Sequence, residues 1–211
     1  PDLIICDINR PGMNGLQITD RLKTDLRSSH IPIILLSSRS TPEQQVEGMQ
    51  AGADIYVTKP FNVAVLQSKI RSLLLNRQYL KESYGQQLKS QNVTMPELPE
   101  HILPMDREFV QRFVSFIDEQ HGRQDFQVTD LCKEFGLSRS QLYRKVKSLL
   151  GESIGGYIES VRLQKAEALL LEGQLSVTDV AYHVGYSSPD YFSKVFKSKY
   201  GVTPSAYRKQ S

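Results

Sequence analysis

The first part of the chain alternates short apolar runs with longer stretches in which apolar residues recur at helical spacing. Short apolar runs predict buried strands, and recurrence every three to four residues predicts helices that pack on them. Strand-helix alternation predicts a parallel sheet, and therefore an α/β fold. The predicted order is strand Leu3–Cys6, helix Gly15–Leu26, strand Ile31–Leu36, helix Thr41–Ala51, strand Ala53–Val57 and helix Val63–Tyr84.

The pattern changes after residue 84. Residues 85–105 contain Gly85, Pro96, Pro99 and Pro104 with little periodicity, which predicts a linker. From Asp106 onward helical spacing returns, and we count seven helices and no strand. The sequence therefore predicts an α/β domain over 1–84, a linker over 85–105 and an all-α domain over 106–211.

The helical part contains an internal repeat of about 49 residues, and such repeats indicate the architecture directly. The first copy is VTDLCKEFGLSRSQLYRKVK and the second is VTDVAYHVGYSSPDYFSKVF. Seven of the first nineteen aligned positions are identical: Val128/Val177, Thr129/Thr178, Asp130/Asp179, Gly136/Gly185, Ser138/Ser187, Lys145/Lys194 and Val146/Val195. Each copy predicts a helix-turn-helix unit, about 128–150 and about 177–200.

The first copy has clear start and stop signals. Val128–Phe135 predicts a short helix that ends at Gly136, and Ser138 predicts the N-cap of the helix Arg139–Leu150. The predicted core faces are Leu142, Val146, Leu149 and Leu150 in the first copy and Phe192, Val195 and Phe196 in the second. A linker helix is predicted over about 153–172, and its segment Ser153–Leu171 would span about 28 Å. Two helices that enter successive major-groove segments on one face of B-DNA lie roughly 34 Å apart, so a helix of this length could connect two such units.

Charge is distributed unevenly, although the net charge is only +3. The stretch from Arg139 to Leu150 and the stretch after Asp190 contain basic but no acidic side chains, as a phosphate-facing surface requires. The chain has 39% hydrophobic residues and no apolar run near the roughly 18 residues of a membrane span. Its two cysteines lack metal spacing, which indicates a reducing compartment. We expect a cytoplasmic region without membrane contact.

The helical half resembles the DNA-binding domain of the AraC/XylS family. The strings that support the resemblance are VRLQKAEALLLEG, VTDVAYHVGYSSPDYFSKVFKSKYG and VTPSAYRKQ, and the match covers about 106–211. The resemblance implies double-stranded DNA as the partner, with the second helix of each unit in the major groove. The implied DNA-binding residues are Arg139, Ser140, Gln141, Tyr143, Arg144 and Lys147 in the first unit and Ser188, Pro189, Asp190, Ser193 and Lys194 in the second.

The two implied sets differ in chemistry. Arg can bond guanine and Gln can bond adenine in bidentate fashion, so we expect the first set to discriminate sequence more strongly. The second set, with Pro189 and Asp190, is expected mainly to position the DNA backbone. Lys145 is expected to face away from the bases and to touch phosphate or solvent.

Three polar residues follow the predicted strands of the first half. Asp7, Ser37 and Lys59 each stand at or just after a strand end, where parallel sheets form their sites. With the strings PDLIICDINRPGMNG, IPIILLSS and GADIYVTKPF, they resemble the flavodoxin-like receiver domain of two-component response regulators.

The receiver resemblance implies specific roles. Asp7 would be the phospho-acceptor for a histidine kinase, and Ser37 and Lys59 would bind the phosphoryl oxygens. Tyr56 would be the switch aromatic, although an ordinary core role is equally compatible with its strand. The Lys59–Pro60 bond is often cis in the family. Mg²⁺ would be held by Asp7, the backbone carbonyl of Asn9 and an acidic pair.

The start of the chain departs from the receiver pattern. Pro1 falls inside what would be the third strand of a receiver, so the acidic pair of the Mg²⁺ site is missing. We expect the chain to be a fragment that binds no Mg²⁺ and is phosphorylated poorly or not at all. Leu3–Cys6 would then be an open apolar edge, which favours pairing with another chain or partial disorder.

The sequence supports two functional hypotheses. The leading one is a phosphorylation-controlled transcription regulator, not itself an enzyme, that forms a homodimer and has RNA polymerase as a candidate partner. It resembles the C-terminal output region of a hybrid sensor histidine kinase, cytoplasmic but joined to an inner-membrane protein, or a fragment of a free response regulator. In the alternative, the receiver half is a phosphorylation-independent dimerisation or interaction module.

Overall fold

The computed structural model describes residues 1–38, 41–87 and 103–209. These residues fall into two compact units. The first holds residues 1–83 together with the described residues up to Phe109, and the second holds the remaining described residues. Among the described residues, no helix combines the length and apolar character needed to cross a membrane.

The first unit is built on a three-stranded parallel sheet. The strands are β1 (Ile4–Asp7), β2 (Ile33–Ser37) and β3 (Ile55–Thr58), in the spatial order β1-β2-β3. Three helices accompany them: α1 (Gly15–Lys23), α2 (Pro42–Gln50) and α3 (Val63–Gln87). The predicted α/β class and the order of elements are confirmed.

The central strand β2 is the most buried element of the first unit. Ile33, Ile34 and Leu35 have no exposed surface, whereas Ile5 on the edge strand β1 is 45% exposed. Continuous burial is expected of a parallel strand with neighbours on both sides and helices on its faces. The edge position of β1 in the described sheet agrees with the predicted open edge.

Local signals explain where the helices begin. Asn14 caps α1 by accepting from the Leu16 N–H at 3.0 Å, and its own N–H donates to Gln17 Oε1 at 3.3 Å. Thr41 is the N-cap residue of α2, with Pro42 at the first helical position, but its side chain makes no capping hydrogen bond. The predicted linker 85–105 overlaps α3 and the next helix at its ends, and its residues 88–102 lie outside the described residues.

Residues 103–209 contain the seven predicted helices and no strand. The helices are α4 (Pro104–Gln120), α5 (Val128–Phe135), α6 (Arg139–Leu150), α7 (Ile154–Glu172), α8 (Val177–His183), α9 (Pro189–Tyr200) and α10 (Pro204–Lys209). The first helix-turn-helix is α5 with α6, the second is α8 with α9, and α7 connects them. Aromatic rings contact each other in the cores: the ring centroids of Phe113 and Tyr157 lie 5.5 Å apart, and those of Phe192 and Phe196 lie 5.6 Å apart.

A Gly15→Ala substitution should loosen the first unit. A Cβ atom on Gly15 would lie 2.6 Å from the Asp7 carbonyl oxygen and 2.8 Å from Ile8 Cα, and neither backbone atom can rotate away. We expect the free energy of unfolding of the first unit to fall by about 1–3 kcal/mol. Amide hydrogen exchange should then be faster in peptides covering β1 and β2. Gly155→Ala in α7 is the matched control, because its Cβ would meet no atom within 4 Å. Unchanged exchange in the Gly15 variant would contradict this packing.

Candidate functional site

The parallel sheet brings the three predicted phosphorylation residues to one edge. Asp7 pairs with Leu36 across β1 and β2, and Ser37 pairs with Thr58 across β2 and β3. The backbone N–H of Lys59 donates to the Ser37 carbonyl at 2.7 Å. Because all strands run in the same direction, the ends of β1, β2 and β3 meet there, as the sequence predicted.

The Asp7 carboxylate is the centre of this edge. Its Oδ1 accepts from the backbone N–H of Asn9 at 3.0 Å, and its Oδ2 accepts from the Lys59 ammonium. The hydrogen bond from Lys59 is the main reason that the pKa of Asp7 lies below its usual value. Asp7 is therefore ionised at neutral pH, and its side chain remains 34% exposed. An ionised, accessible carboxylate is what a phospho-acceptor requires.

Ser37 has no exposed surface, whereas Tyr56 is half-buried, as Asp7 is. The Tyr56 ring packs against α2, where a Cβ on Gly48 would approach it to 2.6 Å, and against the core formed by Cys6, Ile8, Leu35 and Ala53. The Lys59–Pro60 peptide bond is cis, as the receiver resemblance implied.

The residues at this edge do not by themselves fit a Mg²⁺ ion. Mg²⁺ requires near-octahedral oxygen coordination, usually with one or two carboxylates and several waters. Both Asp7 carboxylate oxygens already accept hydrogen bonds, one of them from the cationic Lys59. Within the described ranges, no group of three or more His, Cys, Asp or Glu side chains is arranged to hold a metal ion.

The candidate DNA-binding surface of the first repeat is the exposed side of α6. Gly136 ends α5 in the left-handed conformation (φ 61°), and Ser138 caps α6 by accepting from the Gln141 N–H at 3.4 Å. Leu142 and Val146 are fully buried. The side chains left in solvent are Arg139, Ser140, Tyr143, Arg144 and Lys147, five of the six predicted in this helix.

Hydrogen bonds already occupy three of the predicted α6 residues. The Gln141 side-chain oxygen accepts from the Ser138 N–H at 2.9 Å, which completes the cap and leaves the residue half-buried. Lys147 donates to the Gly151 carbonyl at 2.7 Å, and Arg144 Nε donates to the Ser140 carbonyl at 3.2 Å. Bidentate bonding of Gln141 to adenine would require breaking the cap, so the arginines are the better candidates for base contact.

The prediction for Lys145 was wrong. It was expected to touch phosphate or solvent, but its side chain has no exposed surface. Lys145 stands three residues after Leu142 and next to Val146, on the flank of the face that packs inward. It therefore adds nothing to the basic surface of α6.

The second repeat begins its second helix one residue later than the sequence alignment indicates. Ser188, not Ser187, is the N-cap of α9 and accepts from the Tyr191 N–H at 3.3 Å. Phe192 and Phe196 are fully buried, and they correspond to Leu142 and Val146 at an offset of fifty residues. Two of the identical pairs in the sequence alignment therefore do not occupy equivalent positions in the two helices: Lys145/Lys194 and Val146/Val195.

The surface of α9 contains most of the predicted residues and two further ones. Ser188, Asp190 and Lys194 are exposed, and Pro189 and Ser193 are half-buried. Tyr191 is 57% exposed, and Lys197 is exposed one turn beyond Ser193. The sequence did not place Tyr191 or Lys197 among the implied DNA-binding residues, although Lys197 lies in the basic stretch after Asp190 that predicted a phosphate-facing surface. With the offset of fifty, Lys197 corresponds to Lys147, a signal that the one-residue shift concealed.

Comparisons with known proteins match both halves. The family model of the response regulator receiver domain matches residues 1–71, and that of a helix-turn-helix domain matches residues 131–210. Histidine kinase P4 of Formosa agariphila is 34% identical over 208 residues, which cover 99% of this chain and 15% of that protein. The phosphate regulon transcriptional regulatory protein PhoB of Pseudomonas aeruginosa is 38% identical over 74 residues, 35% of this chain and 32% of PhoB.

Among solved structures, the C-terminal domain of AraT, a response regulator from Geobacillus stearothermophilus, is 31% identical with a TM-score of 0.46. That match covers 48% of this chain and 84% of the AraT domain. The chain thus spans about a sixth of the length of Histidine kinase P4 and about a third of that of PhoB. The chain thus matches the response-regulator receiver family over residues 1–71 in its first half and a helix-turn-helix domain family over residues 131–210 in its second.

Proposed function

We propose that this chain is the output part of a two-component system, which binds specific double-stranded DNA and regulates transcription under the control of phosphorylation at Asp7. The observation that carries the proposal is the exposed row of Arg139, Tyr143, Arg144 and Lys147 on a helix whose opposite face is fully buried. Rigidly held basic side chains at the start of a second helix-turn-helix helix suit the major groove.

The chemistry of α6 supports sequence discrimination by this unit. Arg139 and Arg144 are exposed, and each guanidinium can bond the O6 and N7 atoms of guanine. Phosphate contacts would come from lysines such as Lys147 and Lys197, and they would make binding dependent on salt. The surface of α9 exposes the acidic Asp190 as well as Lys194, so it suits positioning on the DNA backbone more than base reading.

The receiver half supports acceptance of a phosphoryl group from a histidine kinase. The ionised Asp7 oxygen would form a bond to phosphorus as the P–N bond of the phosphohistidine breaks, and the imidazole would leave with the bonding electron pair. Lys59, which now donates to Asp7, would then pair with the added phosphoryl oxygens. We propose Mg²⁺ as the cofactor of the complete receiver, with ligands beyond those that the described residues supply.

Phosphorylation would act on DNA binding through association of two chains. Two DNA-binding units joined in a homodimer raise each other's local concentration on neighbouring sites. RNA polymerase is a further proposed partner. The competing hypothesis, a receiver half that serves only as an interaction module, predicts that Asp7 chemistry is irrelevant to DNA binding.

Arg144→Ala should weaken and relax DNA recognition. We would select binding sites for the full chain from fragmented DNA and measure the affinity of the best site. Loss of one bidentate guanine contact costs about 1–3 kcal/mol, so we expect binding roughly 5- to 150-fold weaker and no preference at that base. The control is Lys165→Ala, because the Lys165 ammonium is already paired with Asp118 at 2.8 Å. Binding with no recovered motif in the unmodified chain would mean that the domain contacts only the DNA backbone.

Phosphorylation should depend on Asp7. With acetyl phosphate and Mg²⁺, we expect mass spectrometry to find well below one phosphoryl group per chain, because both Asp7 carboxylate oxygens already accept hydrogen bonds and the described residues do not by themselves hold Mg²⁺. Asp7→Asn should abolish the remaining labelling. Stoichiometric labelling would contradict this expectation. If the phosphorylated chain and Asp7→Asn bind DNA equally, the result favours the interaction-module hypothesis.

Lys59→Gln should raise the pKa of Asp7 toward its usual value of 3.8, because the group that lowers it is removed. A lowered acid pKa stabilises the folded protein above the unfolded pKa, and this contribution disappears as the pH falls through the folded value. The Asp7 carboxyl ¹³C shift, assigned with Asp7→Asn, would report the titration. Lys69→Gln, at an exposed position of α3, is the control. An Asp7 pKa unaffected by Lys59→Gln would rule out the ion pair in solution.

A further inference from the structure

The two helix-turn-helix units are connected by α7 and, in addition, by contacts around Arg162 in the middle of that helix. Arg162, in the middle of α7, donates from Nε to the His121 carbonyl and from Nη2 to the Arg123 carbonyl, both at 2.9 Å. His121 and Arg123 belong to the turn that leads from α4 into α5. The same guanidinium lies over the ring of Tyr186, 5.7 Å from its centroid, in the turn of the second repeat. One side chain thus bridges the approaches to both units.

Two glycines allow the backbones of these turns to approach closely. A Cβ on Gly185 would lie 2.3 Å from the His121 carbonyl oxygen and 2.8 Å from Arg162 Nη2, and Gly185 has φ +88°. A Cβ on Gly122 would lie 2.9 Å from the His183 carbonyl oxygen. The contact is therefore reciprocal, because each turn has a glycine against a carbonyl of the other. We refer to Arg162, Gly122 and Gly185 as the turn junction.

The turn that accepts the hydrogen bonds of Arg162 is itself stabilised by side-chain hydrogen bonds. Arg123 donates to Asp125 at 3.2 and 3.0 Å and to Gln120 at 3.0 Å, so the turn that receives Arg162 is itself hydrogen-bonded. Arg162 is half-buried, and burial lowers the pKa of its guanidinium. A partly desolvated cation is costly unless its donors are satisfied, so the two carbonyls are not easily given up.

From this geometry we infer that the turn junction fixes the orientation of α6 relative to α9, and so determines which spacing and phase of two half-sites the chain accepts on DNA. The helix α7 sets the distance between the two units and packs with each of them, but it holds each unit separately, on a different part of its length. The junction adds a third attachment, at the turn before α5 and the turn before α9. Arg162 is thus a positioning residue, and the inference rests on the proposed DNA binding.

The main test compares duplexes that differ only in half-site arrangement. The full chain would be titrated with the selected two-part site, with versions carrying two or five inserted base pairs, and with a single half-site for α6. We expect Arg162→Met to bind the selected site roughly tenfold more weakly, to distinguish the spacings less, and to bind the single half-site unchanged. Gly122→Ala should act in the same direction, and Arg162→Lys, which keeps the charge but not both hydrogen bonds, should be intermediate.

Arg208→Met is the matched control, because Arg208 also donates to a backbone carbonyl, that of Leu175 at 3.2 Å, but within the second unit alone. It should leave the spacing preference unchanged. If Arg162→Met and Gly122→Ala weaken every duplex equally, or have no effect, the junction does not set the arrangement and the inference is wrong.

A measurement without DNA separates failure of this inference from failure of the proposed function. Spin labels at Lys133 and Ser198, both exposed, would report the distance between the two units in a Cys6→Ala, Cys132→Ala background. We expect one narrow distance distribution that broadens in Arg162→Met. If the chain binds no DNA, the proposed function fails while this distribution still decides the junction. A distribution equally narrow in both proteins would overturn the inference.

Discussion

The helical half depends on one helix, α7, that is shared by two hydrophobic cores. Its N-terminal part inserts Tyr157 against Phe113 of α4, and its C-terminal part places Leu163, Ala166 and Leu170 in the core of the second repeat. A helix that is apolar on several sides is stable only when it is buried by more than one partner. Each repeat is therefore anchored on its own part of α7, and a displacement of α7 itself would disturb the packing of both.

Polar contacts reinforce this dependence at the far end of α7. The buried Glu167 accepts from the hydroxyl of Tyr200 at 3.0 Å and from that of Tyr207. Burial and these bonds raise the pKa of Tyr200, so the hydroxyl stays protonated and remains a donor. One carboxylate thus links the end of α9 and the helix α10 to α7, which holds the exposed face of α9 in place.

The sequence predicted the order of elements and the meeting of Asp7 with Lys59 because both follow from periodicity and from parallel strand direction. It could not predict the burial of Lys145, since a lysine beside Val146 looks like any solvated helix residue until the neighbouring helices are placed. The contact of Gly122 with the His183 carbonyl is likewise invisible in sequence, because it joins turns from different repeats. Local signals determine elements, whereas tertiary packing determines which side chains remain available.

The one-residue shift in the second repeat has the largest consequence for DNA recognition. An α-helix turns about 100° per residue, so starting α9 at Pro189 rotates its sequence relative to that of α6. Lys194 therefore corresponds to Arg144 in the structure, and the acidic Asp190 corresponds to Ser140. The two units therefore expose different side chains although their sequences are similar. The proposed DNA binding therefore implies an asymmetric site for the two helices, which the chain binds in one direction.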